Sequence, residues 1–448
     1  MVKLKSICQL EKRSILVVGD LILDTYTTGK ANRISPEAPV AVVHVHHEES
    51  LPGGAGNVAL NLVSLDADVV MIGRVGEDDA GRMIRDAFLS EKINIDGLVV
   101  QRDFKTPVKN RVIADNQQLV RIDYERVQPI SKDLEKLLIE SLPKLMQGVD
   151  AVAISDYGKG FLSDTLLHAI ITLASSLQIP VIADPKGKNF GKYNGVTILK
   201  PNLSEAYAAA EMTPEEDLSA VAEKILKETD IQTLMITRSK DGISIFEQNK
   251  KRTDFPVNER AIKDVTGAGD TVLATLTYAI ANELPMDQAV PLSNIAAGIA
   301  IERVGCARVS LSDLVHRLIE HDVKNKIFDD EHSFALQHAL KSRHFHLLAL
   351  SGNEGMTTPI FTAIHQLTQN GHADLIIYLF DPNPNVDFID LLASIQGIKF
   401  IIIQHTHINH LCNTVKPVAS YALLNNELVF LDSVQDLKGL RTDCAPIN

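Results

Sequence analysis

The residues best equipped for chemistry lie in Asp264-Val265-Thr266-Gly267-Ala268-Gly269-Asp270-Thr271, directly ahead of an apolar run of helical spacing, Val272–Ala281. Glycines let a backbone come close to a phosphate. The start of a helix offers unpaired N–H groups and the positive end of its dipole, and Asp270 places a carboxylate in that first turn. Phosphoryl transfer needs this combination: amides of Gly267, Ala268 and Gly269 to stabilise charge on the moving phosphate, and a base for the attacking hydroxyl's proton. The plainer reading is a glycine-rich helix entry in which Asp270 merely favours the dipole. The run is not a P-loop, because no GxxxxGK(S/T) occurs, nor a dinucleotide fingerprint, because the third glycine is missing.

Three further groups could serve the same reaction. Pro52-Gly53-Gly54-Ala55-Gly56-Asn57 also opens a helix. Gly54 would let a polyol lie against the backbone, and the Asn57 amide both donates to and accepts from hydroxyls. Asp20 and Asp24 fall at and just beyond the end of the first strand. Paired carboxylates there suit sugar hydroxyls, while turn formation and helix capping are the plainer role. Asn202-Leu203-Ser204-Glu205 follows another strand. Its Asn and Glu, three apart at a helix start, could position a hydrated Mg²⁺ through water on Glu205, or could form a capping box.

These residues need a frame to hold them. Short apolar runs (Ser14–Val18, Val69–Gly73, Ala151–Ser155, Val181–Ala183, Thr197–Leu199, Leu234–Thr237) alternate with segments of helical period such as Asn57–Leu65. That βαβα rhythm predicts an α/β fold, a mostly parallel sheet flanked by helices. Ligands then sit beyond the carboxyl ends of the strands, which draws attention to Asp20, Asp156, Asp184, Asn202 and Arg238. Val40–Val45 and Val108–Asp123 break the rhythm. They predict either a small separate β-sheet covering a cleft, with lid segments near 24–50 and 105–125, or an ordinary edge hairpin.

The bulk numbers set bounds. A chain of 448 residues predicts two or three domains at roughly 100–200 residues each. Its net charge of −13 disfavours non-specific binding to nucleic acid or anionic membranes, but not a small anionic substrate. Cys8, Cys306, Cys412 and Cys444 are too scattered for a CxxC pair, and neither a signal peptide nor an apolar run of about 18 residues is readable. The expectation is a soluble cytoplasmic protein.

Taken together, the quoted runs resemble the ribokinase-like (PfkB) carbohydrate kinase family. GDLILD, PGGAGNVA, KPNLSEA and DVTGAGDTVLATL occur in the family's order and spacing and cover roughly residues 10–320. Within it, RISPEAPVAVV, NQQLVRIDYE, SDYGKG and DPKGKNF resemble heptose 7-phosphate kinases, the kinase half of bifunctional heptose kinase/adenylyltransferases of the ADP-heptose and lipopolysaccharide core route. The resemblance implies transfer of the ATP γ-phosphate to the anomeric hydroxyl of D-glycero-β-D-manno-heptose 7-phosphate. It implies Asp270 as base and the Gly267–Gly269 backbone as anion hole. Asn202–Glu205 with Thr237, Arg238 and Gly242 fall on the nucleotide side, and Asp20, Gly54 and Asn57 on the sugar. For the substrate phosphate, Arg33, Lys109, Arg111, Arg121 and Lys186 are the candidate cations. A homodimer through the lid is implied as well. Gly305-Cys306-Ala307-Arg308 departs from the family's small or hydroxyl residues and puts activation by a monovalent cation in doubt. A kinase for another sugar, or a kinase fold that senses a ligand without turnover, are the competing readings.

A charged stretch, Lys324–Ser333, predicts a boundary after a kinase domain of residues 1–325. Beyond it, strand-like Leu347–Leu350, Leu375–Phe380 and Lys399–Ile403 alternate with helical Ile360–Thr368 and Phe388–Ser394. The order resembles a degenerate nucleotidyltransferase-like α/β domain over 340–448. A glycine turn follows Leu350, but the HxGH that would serve adenylyl transfer does not. His405 and His407 would share one face of a strand near His410, which permits a metal but shows no third ligand.

Overall fold

The computed structural model of the chain describes residues 10–115, 117–248, 250–257, 263–303, 305–321, 326–340, 343–353, 355–369, 373–403 and 408–431. The chain divides into two compact units, one of residues 11–310 and one built on Leu311 onward.

The first unit is a helix-flanked sheet. Its strands are β1 (Ser14–Ile34), β2 (Ala41–Gly54), β3 (Asp68–Gly76), β4 (Asn94–Gln101), β5 (Val108–Ala114), β6 (Gln117–Tyr124), β7 (Ala151–Ser155), β8 (Val181–Asp184), β9 (Ile198–Leu199), β10 (Thr233–Thr237), β11 (Ile243–Glu247) and β12 (Thr253–Phe255). Its helices are α1 (Ala55–Ser64), α2 (Asp79–Ser90), α3 (Lys132–Leu145), α4 (Asp164–Ser176), α5 (Leu203–Ala209), α6 (Leu218–Glu228), α7 (Ala268–Ala281) and α8 (Met286–Ile301). The main sheet runs β12-β11-β10-β9-β8-β7-β1-β3-β4 and is parallel from β10 to β4. Buried strands of this kind read as continuous apolar runs, as Ile15–Val18 and Ala151–Ile154 do; both are fully enclosed.

The first strand departs from its sequence reading. Instead of ending in a turn at Gly19–Asp20, β1 continues to Ile34. Ser14–Asp20 pair in parallel with β3, and Leu21–Ile34 leave the main sheet to pair with β2 (antiparallel) and β5 (parallel). With β6 on β5, this makes a four-stranded second layer, β2-β1-β5-β6. Both unusual segments therefore belong to a small separate sheet that grows out of the central strand. The strand survives Asp20 and Asp24 because both carboxylates are buried and partnered, so they leave no polar turn.

The second unit contains β13 (Ile327–Phe328), β14 (Phe345–Leu350), β15 (Asp374–Leu379), β16 (Ile398–Ile403), β17 (Ala419–Leu424) and β18 (Glu427–Leu431), with α9 (Leu311–His321), α10 (Ser333–Leu340), α11 (Thr358–Gln369), α12 (Val386–Ser394) and α13 (Ile408–Val415). Its sheet order is β13-β16-β15-β14-β17-β18, parallel except for the terminal hairpin. The boundary falls at Ser310–Leu311, ahead of Lys324–Ser333, because α9 packs with α10: Ser312 Oγ donates to the His338 carbonyl at 2.9 Å. No helix among the described residues is long and apolar enough to cross a membrane.

Candidate active site

Gly267 precedes helix α7 with a φ of 77°, in the left-handed region, and no side chain caps the helix. A Cβ at Gly267 would lie 2.6 Å from Asn57 Nδ2, so glycine is required both by conformation and by space. The helix start, Gly267–Gly269, thus has no side-chain acceptor on its amides, with the Ala268 amide reaching the Val265 carbonyl at 3.3 Å, and a helix start of this kind can receive an anion.

Asp270 follows in the first turn and is buried. Asn57 Nδ2, on α1, donates to Asp270 Oδ2 at 2.9 Å, and the Tyr157 hydroxyl donates to Oδ1 at 2.7 Å. Asn61, one helical turn on, holds Asn57 in place by donating to its carbonyl at 2.9 Å and its Oδ1 at 3.1 Å. Burial raises the Asp270 carboxyl to about 7, against the pull of its two donors; the Asp184 charge adds to the rise and Lys200 opposes it. A carboxylate poised near neutrality, at a helix start that can hold an anion, is suited to general-base work.

The strand ends supply the surroundings. Lys200, beyond β9, is buried and pairs with Asp184, at the end of β8, at 2.8 Å. Burial raises the Asp184 carboxyl, with Lys200 opposing. A Cβ at Gly269 would stand 3.9 Å from Asp184 Oδ2 and 4.0 Å from Lys200 Nζ, so this pair lies under the start of α7. Further along the sheet, Asn202 and Thr237 form a parallel bridge, and the Thr237 amide donates to the Pro201 carbonyl at 3.0 Å. The Arg238 amide donates to the Gly242 carbonyl at 2.7 Å; Gly242 has φ 82°, and a Cβ there would collide with the Phe255 carbonyl. The fold therefore brings Asn202–Glu205, Thr237, Arg238 and Gly242 together on one side of α7.

Asn202 and Glu205 form a complete capping box, with Ser204 Oγ also donating to Asn202 Oδ1 at 2.7 Å. Glu205 Oε1 additionally receives Lys186 Nζ at 2.8 Å. No group of three metal-binding side chains occurs among the described residues. His405 and His407 lie outside the described residues.

On the other side of α7, Asp20 is spent on the backbone. Its carboxylate accepts the amides of Tyr157 and Lys159 at 3.0 Å each and of Phe161 at 3.4 Å. Gly54, φ 58°, lies against the Asp20 carbonyl, where a Cβ would come within 2.7 Å. Asp24 Oδ1 receives Arg111 Nη1 at 2.6 Å, and Cys306 Sγ lies 3.8 Å from Asp24 Oδ2. Among the remaining cations, Arg121 pairs with Asp123 on the lid and Arg33 is exposed there. Lys109 makes no ion pair among the described residues and sits half-buried 5.5 Å from the Tyr157 ring. Burial, and then the Lys159 charge, lower its pKa. Arg308 pairs with Glu91, and its carbonyl accepts Arg303 Nη1 at 2.8 Å, so this charge is used within the fold.

Two residues of this site escaped the sequence reading as site residues, Tyr157 and Lys200. Both lay inside runs already notable, SDYGKG and KPNLSEA, but nothing in the sequence gives their distance from Asp270.

The pfkB family carbohydrate kinase model matches residues 12–313, two thirds of the chain. The chain belongs to the pfkB family of carbohydrate kinases. Among curated relatives, the "Bifunctional protein HldE" of Geobacter sulfurreducens is 43% identical over 305 residues, covering 68% of this chain and 62% of that protein. The protein of the same name from Trichlorobacter lovleyi is 41% identical over 319 residues, covering 69% and 65%. The match thus spans less than two thirds of these relatives' length. Among solved structures, Arabidopsis thaliana ribokinase complexed with ribose and ATP superposes with a TM-score of 0.55 at 18% identity, covering 69% of this chain and 99% of that one. Escherichia coli phosphofructokinase-2 in complex with fructose-6-phosphate gives 0.56 at 18% identity, covering 69% and 98%. At that identity the likeness concerns the fold. As a pfkB carbohydrate kinase, the chain has the mostly parallel, helix-flanked architecture read from its sequence.

Proposed function

We propose that this carbohydrate kinase phosphorylates a sugar phosphate from ATP, with D-glycero-β-D-manno-heptose 7-phosphate as acceptor at its anomeric hydroxyl. The observation that carries the reading is the buried Asp270 carboxylate at the uncapped start of α7, between the Asn202–Thr237 side and the Asp24–Lys109 side. The acceptor O–H gives its proton to Asp270 as its oxygen forms a bond to Pγ. The bond from Pγ to the bridging oxygen breaks, and ADP leaves with that electron pair. The Gly267–Gly269 amides and Lys200 meet the charge on the moving phosphoryl group.

Mg²⁺ fits this site as a hydrated ion held through water by Glu205, with Asp184 as the neighbouring carboxylate. Both already bond to lysines, and Mg²⁺ commonly takes only one or two carboxylates beside substrate phosphates. When bound, it would neutralise β- and γ-phosphate oxygens. The capping geometry of Glu205 supports an indirect role of this kind better than direct coordination.

Support for a phosphorylated acceptor comes from Lys109, half-buried beside the Tyr157 ring and in no ion pair among the described residues, whereas Arg111, Arg121 and Lys186 are engaged by Asp24, Asp123 and Glu205 and Arg33 is exposed on the lid. Support for a heptose comes from the relatives' HldE name at about 40% identity. Incubation with ATP and a panel of sugars and sugar phosphates should give the fastest ADP release with heptose 7-phosphate and a 1,7-bisphosphate product. Lys109→Met should raise KM for the sugar phosphate about 10- to 100-fold, the range of one charge-assisted contact, with little change in KM for ATP. Faster turnover of ribose or fructose would sink the specificity. Nucleotide binding without turnover of any sugar would favour a ligand-sensing protein.

The C-terminal unit, in this reading, does not transfer AMP. Its β14 leads into Ser351–Gly352, whose Ser351 Oγ donates to buried Asp381 at 2.9 Å, and the sequence that follows carries no HxGH. No ADP-heptose should form from heptose 1-phosphate and ATP.

The lid sheet supports a homodimer. Ile34, Val45, Leu119, Val120, Ile122 and Tyr124 are all exposed on it, and alternation along β6 puts Val120, Ile122 and Tyr124 on one face of the strand. Sedimentation velocity should give a dimer, and Val120→Lys with Ile122→Lys should give a monomer. A wild-type monomer at micromolar concentration would refute this.

A further inference from the structure

We infer that Tyr157 is the positioning residue of the base: its hydroxyl fixes the Asp270 carboxylate, and the loop that Asp20 anchors exists to present it. The inference rests on the kinase reading above and adds a residue to it.

The loop after β7, Asp156-Tyr157-Gly158-Lys159-Gly160-Phe161, is held from four directions. Asp20 accepts three of its amides. Asp156 accepts the Gly158 amide at 2.7 Å and, through its other oxygen, Lys192 Nζ and the Tyr193 hydroxyl at 2.6 Å each. The Lys159 and Gly160 carbonyls accept the amides of Gln128 and Ile130, and Arg74 Nη2 donates to the Lys159 carbonyl at 3.1 Å. Gly160 has φ 88°, with the Gln128 carbonyl where its Cβ would be. A buried carboxylate spent on three amides of one short loop is an expensive device for a surface turn. What the loop delivers is the Tyr157 ring, lying beside Gly54, and its hydroxyl on Asp270.

The chemistry of the pair follows. An ionised carboxylate accepts only, and each of its oxygens carries two lone-pair sites. With Asn57 on Oδ2 and Tyr157 on Oδ1, the group is held in one plane with a site left on each oxygen for the acceptor hydroxyl. Both donors also favour the charged form, the form that can take a proton. Asn57 is on α1, Asp184 and Lys200 face Asp270 from the ends of β8 and β9, and the buried Cys306 thiol approaches from the segment after α8. Tyr157 is the one hydroxyl donor among them.

Tyr157→Phe tests this. The acid limb of the kcat/KM profile should move up by about one pH unit, and kcat at pH 8 should fall about 10-fold with KM for ATP unchanged. A tyrosine that only packs would leave the acid limb where it was, and that result overturns the proposal. Should the variant fail to fold, as read by circular dichroism, fluorotyrosine incorporated into the wild-type protein gives the second measurement. Fluorination makes the phenol a stronger donor, so the Asp270 carboxyl, followed by ¹³C NMR and assigned with Asp270→Asn, should titrate at lower pH. An unchanged titration also overturns the proposal. The NMR measurement needs no turnover, so it stands apart from failure of the kinase reading itself.

Discussion

Asp270→Asn is expected to lower kcat with heptose 7-phosphate and ATP about 10³-fold while leaving both KM values within a few-fold, the pattern of a group used only in the transition state. Asparagine keeps the shape, can still receive Asn57 on its carbonyl oxygen and can donate its amide to the Tyr157 hydroxyl, which occupy the two oxygens of Asp270, but it cannot accept the acceptor hydroxyl's proton. The pH dependence has a definite sign. The carboxyl titrates near 7 rather than at its ordinary 3.8, so the ionised, proton-accepting form disappears as pH falls through 7. kcat/KM should then fall about tenfold per pH unit below that point. Stability runs the other way. A carboxylate whose folded-state pKa is raised binds a proton in the folded protein that the unfolded chain has released, so between pH 3.8 and 7 folding is progressively disfavoured as pH rises, by about 1.4 kcal/mol per pH unit. Removing the charge relieves that cost. At pH 8 the Asn variant should therefore melt at or above the wild-type temperature while being nearly inactive. Full activity in Asp270→Asn would remove the mechanism; a large loss of stability at pH 8 would show that the carboxylate is structural.

How much of this could be read beforehand depended on whether the relevant residues are contiguous in the chain. The proposed base and anion hole were legible as a group because Gly267, Ala268, Gly269 and Asp270 are consecutive, and helix geometry alone brings their amides and carboxylate to one end. Asn202 and Glu205 were legible for the same reason, and the capping box shows that the plainer role is present there alongside any nucleotide role. The central strands were legible as unbroken apolar runs. Tyr157 could not be placed, because its distance from Asp270 is fixed by the parallel pairing of β1 with β7 and by Asp20, 113 positions from the base on one side and 137 from its anchor on the other. The path of β1 was misread at Gly19–Asp20 because an acidic residue after glycine looks like a turn until its amide partners are known. The β17–β18 hairpin carried a readable signal, Asn425-Asn426, both of positive φ, which are favoured residues for a two-residue hairpin turn.

The same distinction bears on Arg111, which sequence offered as one of several cations for the substrate phosphate. Its guanidinium lies 2.6 Å from Asp24 Oδ1, and the two side chains are only 11% and 8% exposed. Asp24 belongs to the part of β1 that has left the main sheet, Arg111 to β5, and the pair therefore joins the two lid strands beside the cleft. Gly53 on β2 closes the third side: a Cβ there would fall on Asp24 Oδ2. Cys306, whose thiol burial and Asp24 push up to about 12, closes the fourth as a neutral group. Among the described residues Arg111 is the one cation that bonds to Asp24, while Lys109, its register partner on β5, acts on it only at longer range. Arg111→Ala should then cost about 3–5 kcal/mol in urea unfolding, because it leaves a buried carboxylate uncompensated. Asp24→Asn with Arg111→Gln, which removes both charges and keeps the volume, should recover most of that loss. A cation whose main task is the substrate phosphate would behave differently: Arg111→Ala would raise KM for the sugar phosphate strongly and change the stability of the unliganded protein by less than about 1 kcal/mol, as exposed charges do. The size of the stability change therefore decides between the two roles. The geometry favours the first, in which Arg111 builds the lid's base and leaves the phosphate to Lys109.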